Sequence, residues 1–383
     1  MKRYQTLLLL TVFIILSIST FYTVAAHANK PNFLLKKISG NEKEVQDIKF
    51  PAYYQRDNQI NYSLSITSAG SKYMGEGSLF TTPRPGEDEH PSWYRHNETQ
   101  YPRFMRGKTD TLGFYEDKRI IAYVHSQYKG LKGFDIDILH KKSRKSETIR
   151  IKIPNLSERS YLSVWDVQKF GNQLKIVADA NSGIHVYSIL LPEKKLSGDD
   201  LIASRSDTGK YKVDPIPMSE TTENVPSGIV AFHEEKVDNE GIAKTGDAYV
   251  YQLNTRKRQK LQLPKDFPVN QVDELFYYYN NKSVYISASV KNGLRVTEYD
   301  AENGLLKHDS TLHFQHPDKG SGMMVKIKNG KAFVLIPNNF EEKTNLFYIF
   351  DMSNGNKLYS GKIIQDGGGD QWKFIQAVNF TIN

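Results

Sequence analysis

The side chains whose type and spacing best suit them to chemistry are basic, and they come in runs. Lys141, Lys142, Arg144 and Lys145 lie in HKKSRK (140–145), and Arg256, Lys257 and Arg258 lie in TRKRQK (255–260), with PEKK (192–195) between them. Clustered cations concentrate anions, so these runs are candidate contacts for anionic lipid or a wall phosphate polymer. Hairpin tips are also solvated and Lys-rich without any function, and that plainer reading stands beside the first. A second candidate is TPRPGEDEHPSWYRHNETQYPRFMRG (82–107), which brings together Trp93, Tyr94, Arg95, His96, Tyr101 and Arg103. Aromatic planes beside guanidinium groups can hold a sugar ring or a polar peptide; equally, they can plug a long irregular loop onto the domain beneath it.

Signals for catalysis are thin. Glu87, Asp88, Glu89, His90 and His96 carry metal-ligand atoms, but a Pro-rich acidic loop reads as solvated charge, and no metal is expected. His313 and His316 are three apart, a spacing that sends them to opposite faces of a strand. GGGD (367–370) is followed by no Lys-Ser/Thr pair and so is no phosphate loop. The chain has no cysteine, which removes thiol chemistry. A Ser or His nucleophile pairing would have to be assembled from different parts of the fold. No cofactor is expected.

The elements that must position these residues repeat. RVTEYDAENGLLKH (295–308) and NLFYIFDMSNGNKLY (345–359) set an aromatic-Asp pair and an Asn-Gly pair in one frame, 51 residues apart. Upstream of each lies a strand, an Asn-rich two-residue turn and a second, strongly apolar strand: LFYYYNNKSVYISAS (275–289) and MVKIKNGKAFVLIP (324–337). Asn and Gly take the positive φ of such turns at low cost. Weaker copies run through 111–151, 163–196 and 227–263. Anchored on Leu139, Leu191, Leu253, Tyr299 and Phe350, the spacings are 52, 62, 46 and 51. Periods near 50 with four short strands per unit predict the blades of a β-propeller. A sixth copy is expected in 60–83, and 371–383 is expected to supply the strand that joins last blade to first. The expectation is an all-β propeller of six or seven four-stranded blades; the alternative is two β-sandwich domains.

At YDAENGLLKH and FDMSNGNKLY the chain resembles the Asp-x-x-x-Gly turn of quinoprotein-like and WD40-like bacterial propellers. The likeness implies fold alone. The last-strand Trp usual in such repeats is replaced by His308 and Tyr359, and Trp165-Asp166 falls in a first strand, where WD40 repeats do not place it. SRSDTGKY (204–211) resembles the Asp-box of sialidase-type propellers, with the Ser-to-Asp spacing one residue too long and Tyr in place of the final Trp.

Composition bounds the compartment and partners. The 383 residues exceed what one core usually organises, and 23 Tyr with 19 Phe favour strands. Lys2 and Arg3 precede an apolar run from Leu7 to about Leu16, and Ala26-His27-Ala28 suits signal peptidase. Residues 1–28 are thus expected to be a signal peptide or a membrane anchor, 29–49 a linker and 50–383 the propeller. Export without cysteine points to a bacterial envelope. The mature part keeps 49 basic and 43 acidic side chains, a mild excess that suits an envelope protein, polysaccharide or anionic polymer as partner; nucleic acid is not expected for an exported chain. The function expected is binding or assembly, and the alternative is a propeller hydrolase or lyase acting on extracellular glycan. Neither the ligand nor the oligomeric state is legible.

Overall fold

The structure, a computed structural model, describes residues 2–27, 31–56, 60–73, 91–126, 133–154, 156, 161–220, 227–241, 243–268, 275–279, 282–314, 322–337, 345–367, 375–377 and 379–382. Among these residues the strands form six sheets of four or five members, almost all antiparallel. Sheet 1 orders Ile375–Ala377, Ile48–Arg56, Ile60–Thr67 and Gly70–Tyr73. Sheet 2 runs Phe114–Glu116, Ile120–Ser126, Gly133–His140 and Lys145–Lys152, and sheet 3 runs Leu162–Phe170, Gln173–Ala180, Gly183–Leu190 and Lys195–Ser204. Sheet 4 holds Tyr211–Pro217, Ile229–Asp238, Ala243–Gln252 and Arg258–Leu261, with Ser206–Asp207 added before the first. Sheet 5 holds Leu275–Tyr279, Ser283–Val290, Gly293–Asp300 and Leu306–His313, with Ser219–Glu220 in parallel beside the first. Sheet 6 holds Met324–Lys328, Lys331–Ile336, Asn345–Asp351 and Lys357–Gln365, and adds Phe33–Gly40 beyond the fourth.

Sheets 2 to 6 are meanders whose second strand is largely buried on both sides, whereas burial alternates along residues 48–54 of sheet 1. Gln173–Ala180 is buried at all but its first residue, as expected of a strand covered on two faces. Val164, Leu174, Ile176 and Ile189 of sheet 3 pack against Ile136, Ile149 and Ile151 of sheet 2. On the other face Val177, Ile184, Val186 and Ile202 meet Val230, Phe232 and Tyr251 of sheet 4. Sheet 4 in turn packs Ala231, Val250 and Leu261 against Val284, Ile286 and Tyr299 of sheet 5. A two-sheet sandwich covers one face of each sheet; sheets 3 and 4 are covered on both.

The turn between third and fourth strands has one backbone in five sheets. Arg144, Lys194, Arg256, Gly304 and Gly355 all take φ between 51° and 71°. In four of them that residue's N–H donates to the carbonyl four residues back, at 2.8 Å from Arg144 to His140 and 2.8 Å from Gly355 to Asp351. The Asp of the motif caps this turn: Asp300 Oδ1 accepts from the amides of Glu302 (2.9 Å) and Asn303 (3.0 Å), and Asp351 Oδ1 accepts from Ser353 (2.8 Å). The residues equivalent to Leu139, Tyr299 and Phe350 are Ile189 and Tyr251, all five buried. Leu191 and Leu253, the anchors read from sequence, lie two residues beyond them, because Leu is a commoner strand-end signal than the turn geometry it flanks.

Contacts divide the chain into two compact units: Met1–Thr82, Leu335–Tyr348 and Leu358–Asn383 in one, Pro83–Val334 and Ile349–Lys357 in the other. In the first, Phe50, Phe347 and Phe380 form an edge-to-face cluster, with Phe50 and Phe347 centroids 4.9 Å apart. The carboxyl-terminal strand Ile375–Ala377 pairs with Ala52–Tyr54, and Thr381–Ile382 pairs with Ile48 and Lys49. Residues 29–49, expected as a linker, contain a strand instead: Phe33–Gly40 pairs with Lys357–Gln365, burying Phe33 and Leu35 at alternate positions. Gly40 (φ 92°) ends that strand where a Cβ would come within 2.1 Å of the Leu358 carbonyl. Helix α1 spans Lys2–His27. Its described side chains, from Leu9 to Phe21, are exposed. Among the described residues, no helix is long and apolar enough to cross a membrane.

Candidate functional site

The aromatic and arginine-bearing segment is less irregular than its composition predicts. Ser92–Gln100 form helix α2 and Pro102–Met105 form α3; Pro fits the first turn of α3 because its missing N–H has no partner there anyway. Residues 82–90, with the acidic run Glu87–Glu89 and His90, lie outside the described part. The helix pair docks on sheet 2. Tyr94, Phe104 and Met105 pack with Phe114, Ile121, Tyr123 and Leu139, and Trp93 and Tyr101 flank them. Trp93 and Tyr94 meet Phe114 edge-on at 5.6 and 5.7 Å. The Tyr94 hydroxyl donates to the Lys108 carbonyl, and burial pushes its pKa up. Buried Asn97 donates to Glu116 Oε2 at 2.5 Å. Tyr94 is therefore a docking side chain, whereas Arg95, His96 and Arg103 project outward and are exposed. Helical periodicity separates the two sets.

The basic runs sit at the third-to-fourth turns, and much of their charge is already engaged. Lys141 Nζ pairs with Glu116. Lys194 of sheet 3 reaches back to Glu147 on the fourth strand of sheet 2 (2.6 Å), and Arg256 of sheet 4 reaches back to Asp200 on the fourth strand of sheet 3 (3.4 Å). Arg258 pairs with Glu234 at 2.9 Å, donates to the Ile202 carbonyl and stacks 3.7 Å over the Tyr249 ring. The next tip follows the same rule without charge, as the Asn303 carbonyl accepts from Gln259 Nε2 and the Glu302 carbonyl from Gln252 Nε2. The tips of sheets 3, 4 and 5 each lean on the preceding sheet. Lys142, Arg144, Lys145 and Lys257 are exposed, and so are Arg256 and Arg258 beside their acidic partners, while Lys141 is half-buried.

Polar groups on the doubly covered strands need internal partners. Buried Asp179 lies 2.8 Å from Arg205, which also holds Asp214 at 2.8 Å. Lys175 donates to Ser188 Oγ at 2.7 Å, and burial, aided by Arg256, lowers its pKa. A Ser beside a Lys whose charge burial disfavours resembles a nucleophile and its base, but Ser188 is fully buried and no substrate can reach it. Asp166 accepts from Gln168 Nε2 at 2.6 Å, and burial raises its pKa.

One constellation escaped sequence reasoning. Ser182, in the turn between Gln173–Ala180 and Gly183–Leu190, places Oγ 2.7 Å from His185 Nε2, and His185 Nδ1 is 2.6 Å from Asp199 Oδ1 on the neighbouring fourth strand. His185 stacks on Tyr187 at 5.4 Å and 5°. All three come from sheet 3, contrary to the expectation that such a set needs separate parts of the fold. The register explains it: Ile184 pairs with Ala203 and His185 with Leu201, a bulge that leaves out Ile202, so that Asp199 pairs with Tyr187, two residues from His185 on the same face. A three-residue Ser-to-His spacing is common, and no sequence signal reports that register. Among the described residues, no group of three or more His, Asp or Glu is arranged to hold a metal.

No family model and no curated protein sequence matches the chain. Among solved structures it is similar to an uncharacterised protein of Listeria monocytogenes (9% identity, 66% of this chain and 67% of that one, TM-score 0.35). It is also similar to the Dos1 propeller (8%, 66% and 57%, TM-score 0.34) and to the polysaccharide lyase Uly1 (10%, 66% and 57%, TM-score 0.32).

Proposed function

We propose that this chain is an exported six-bladed β-propeller that serves a bacterial cell envelope as a binding module for an anionic glycan or wall polymer. The architecture is supported by five meanders in chain order with a sixth sheet closed by the carboxyl-terminal strand, by sheets 3 and 4 covered on both faces, and by the five equivalent tip turns. The compartment is supported by the basic-then-apolar leader and the lack of cysteine.

The observation that carries the binding reading is the division of labour in α2 and α3. Their apolar side chains are spent on docking to sheet 2, while Arg95, His96 and Arg103 face solvent beside half-buried Trp93 and Tyr101. Cations on a fixed platform, next to aromatic planes, suit carboxylated or phosphorylated sugar chains. Two-acid glycoside hydrolysis is the weaker reading. It needs a protonated carboxyl facing a second carboxylate; burial raises the pKa of Asp166, but Asp117, Asp137, Glu147, Asp179 and Asp247 each sit within 3.1 Å of a Lys or Arg.

Retention of the purified chain on insoluble bacterial wall preparations at low and high salt tests this. Replacing Arg95, His96 and Arg103 together by Gln is expected to lower low-salt retention by on the order of 30-fold, at about 1 kcal/mol for each arginine. Replacing Lys142, Arg144 and Lys145 by Gln serves as the comparison and is expected to matter less. Equal retention of the first variant and the wild type would remove the helix pair as the binding face.

A further inference from the structure

The geometry points to a second, hydrolytic site on sheet 3, independent of the binding face: Ser182, His185 and Asp199 form a nucleophile, its base and the group that positions the base, suited to carboxylic esters. One tautomer of His185 satisfies both contacts, with Nδ1–H donating to Asp199 at 2.6 Å and Nε2 accepting the Ser182 hydroxyl at 2.7 Å. The ring is only 13% exposed and is held by the Tyr187 stack, whereas Ser182 is exposed. Nucleophile accessible and base confined is the arrangement acyl transfer requires.

Ser182 is also fixed by its backbone. Its carbonyl accepts the Arg205 amide at 2.8 Å, and the Arg205 guanidinium is clamped by Asp179 and Asp214. Gly183 follows with φ 134°, where a Cβ would lie 1.9 Å from the Ala203 carbonyl, so the turn admits no other residue there. The preceding side chain, Asn181, is anchored through Oδ1, which accepts from the Tyr161 amide at 2.8 Å. Leu201, opposite His185 in register, and Tyr161 are 50% and 56% exposed. An open site with apolar flanks fits a small acyl group carried on a large alcohol, such as an acetylated polymer.

The chemistry closes on these residues and water. Ser182 Oγ bonds to the acyl carbon as its proton passes to His185 Nε2. The tetrahedral oxyanion collapses, the ester C–O bond breaks, and the leaving alkoxide takes that proton, giving acyl-Ser182 and the alcohol. Water then adds to the acyl carbon, giving its proton to His185. Ser182 Oγ leaves and recovers the proton, and the carboxylic acid departs.

The test is covalent labelling of the purified chain with a fluorophosphonate, located by peptide mass spectrometry, together with p-nitrophenyl acetate hydrolysis across pH. The label is expected on Ser182, abolished in Ser182→Ala and in His185→Gln. Asp199→Asn is expected to cut kcat by about 10² to 10⁴-fold with KM little changed. That split between kcat and KM separates positioning from a merely structural role. An unlabelled wild type, a label on another residue, or labelling indifferent to His185→Gln would overturn the assignment. Circular dichroism of each variant checks the fold, and the wild-type label decides the question even if one of them fails to fold.

Discussion

His233 offers the sharpest test of how the sheets pack. It sits on the second strand of sheet 4, 7% exposed, stacked on Tyr277 with centroids 3.9 Å apart and planes at 11°. Among the described residues its Nδ1 has no hydrogen-bond partner. Burial alone lowers its pKa from 6.5 to about 4, because nothing opposite compensates a charged ring. The folded state therefore refuses a proton that the unfolded chain accepts between these two values. Stability is complete above about pH 6.5, falls as pH drops, and levels off near pH 4; at 1.36 kcal/mol per pH unit the loss approaches about 3 kcal/mol. His233→Phe keeps the ring stack and cannot take the proton. Urea unfolding followed by tryptophan fluorescence at pH 8, 6.5, 5 and 4 measures the difference. At pH 8 the two proteins are expected within about 1 kcal/mol of each other, and by pH 4 the Phe variant is expected to lead by about 3 kcal/mol more. Carboxylates such as Asp117, held down to about 2 by backbone amides and Lys169 against its own burial, titrate in both proteins and cancel. A gap that stays constant from pH 8 to pH 4 would refute the reasoning.

Two further outcomes follow from the same physics. Burial favours neutral Asp166, so the folded state binds its proton more tightly than the unfolded one and loses stability as pH rises through the carboxylate range; Asp166→Asn should gain about 1 to 2 kcal/mol at pH 8 and nothing at pH 4, read from urea midpoints. Arg144 holds φ 55° where sheets 5 and 6 have Gly, so Arg144→Gly should gain about 0.5 to 1 kcal/mol and Gly355→Ala should lose a similar amount. The second arm is clean because a Cβ at Gly355 meets nothing closer than 3.9 Å.

The legible part of this fold is the part with short-range causes. Asp300 with Gly304 and Asp351 with Gly355 announce their turns because the carboxylate caps the loop and glycine takes the left-handed φ locally. The same turn at Arg144, Lys194 and Arg256 carries neither signal, which is why those copies read as weaker and two of their anchors shifted by two residues. Strand 33–40 was invisible for another reason: its pairing partner lies more than 300 residues away, and FLLKKISG has only Phe33 and Leu35 to mark a buried edge.

The sites divide the same way. Which side chains are basic or aromatic is written in the chain, and so is their place at hairpin tips. What they face is not. Glu147 and Asp200 neutralise Lys194 and Arg256 only because successive sheets stack and these tips overhang the sheet before, and Glu234 meets Arg258 across the strands of sheet 4 itself. Ser182, His185 and Asp199 meet only because one hairpin register, set by bulges, brings Asp199 opposite. Periodicity and turn chemistry act over a few residues and determined strands, turns and module length. Ion-pair partners, buried titrating groups and the triad depend on registers and sheet contacts between distant segments, which only the packed structure decided.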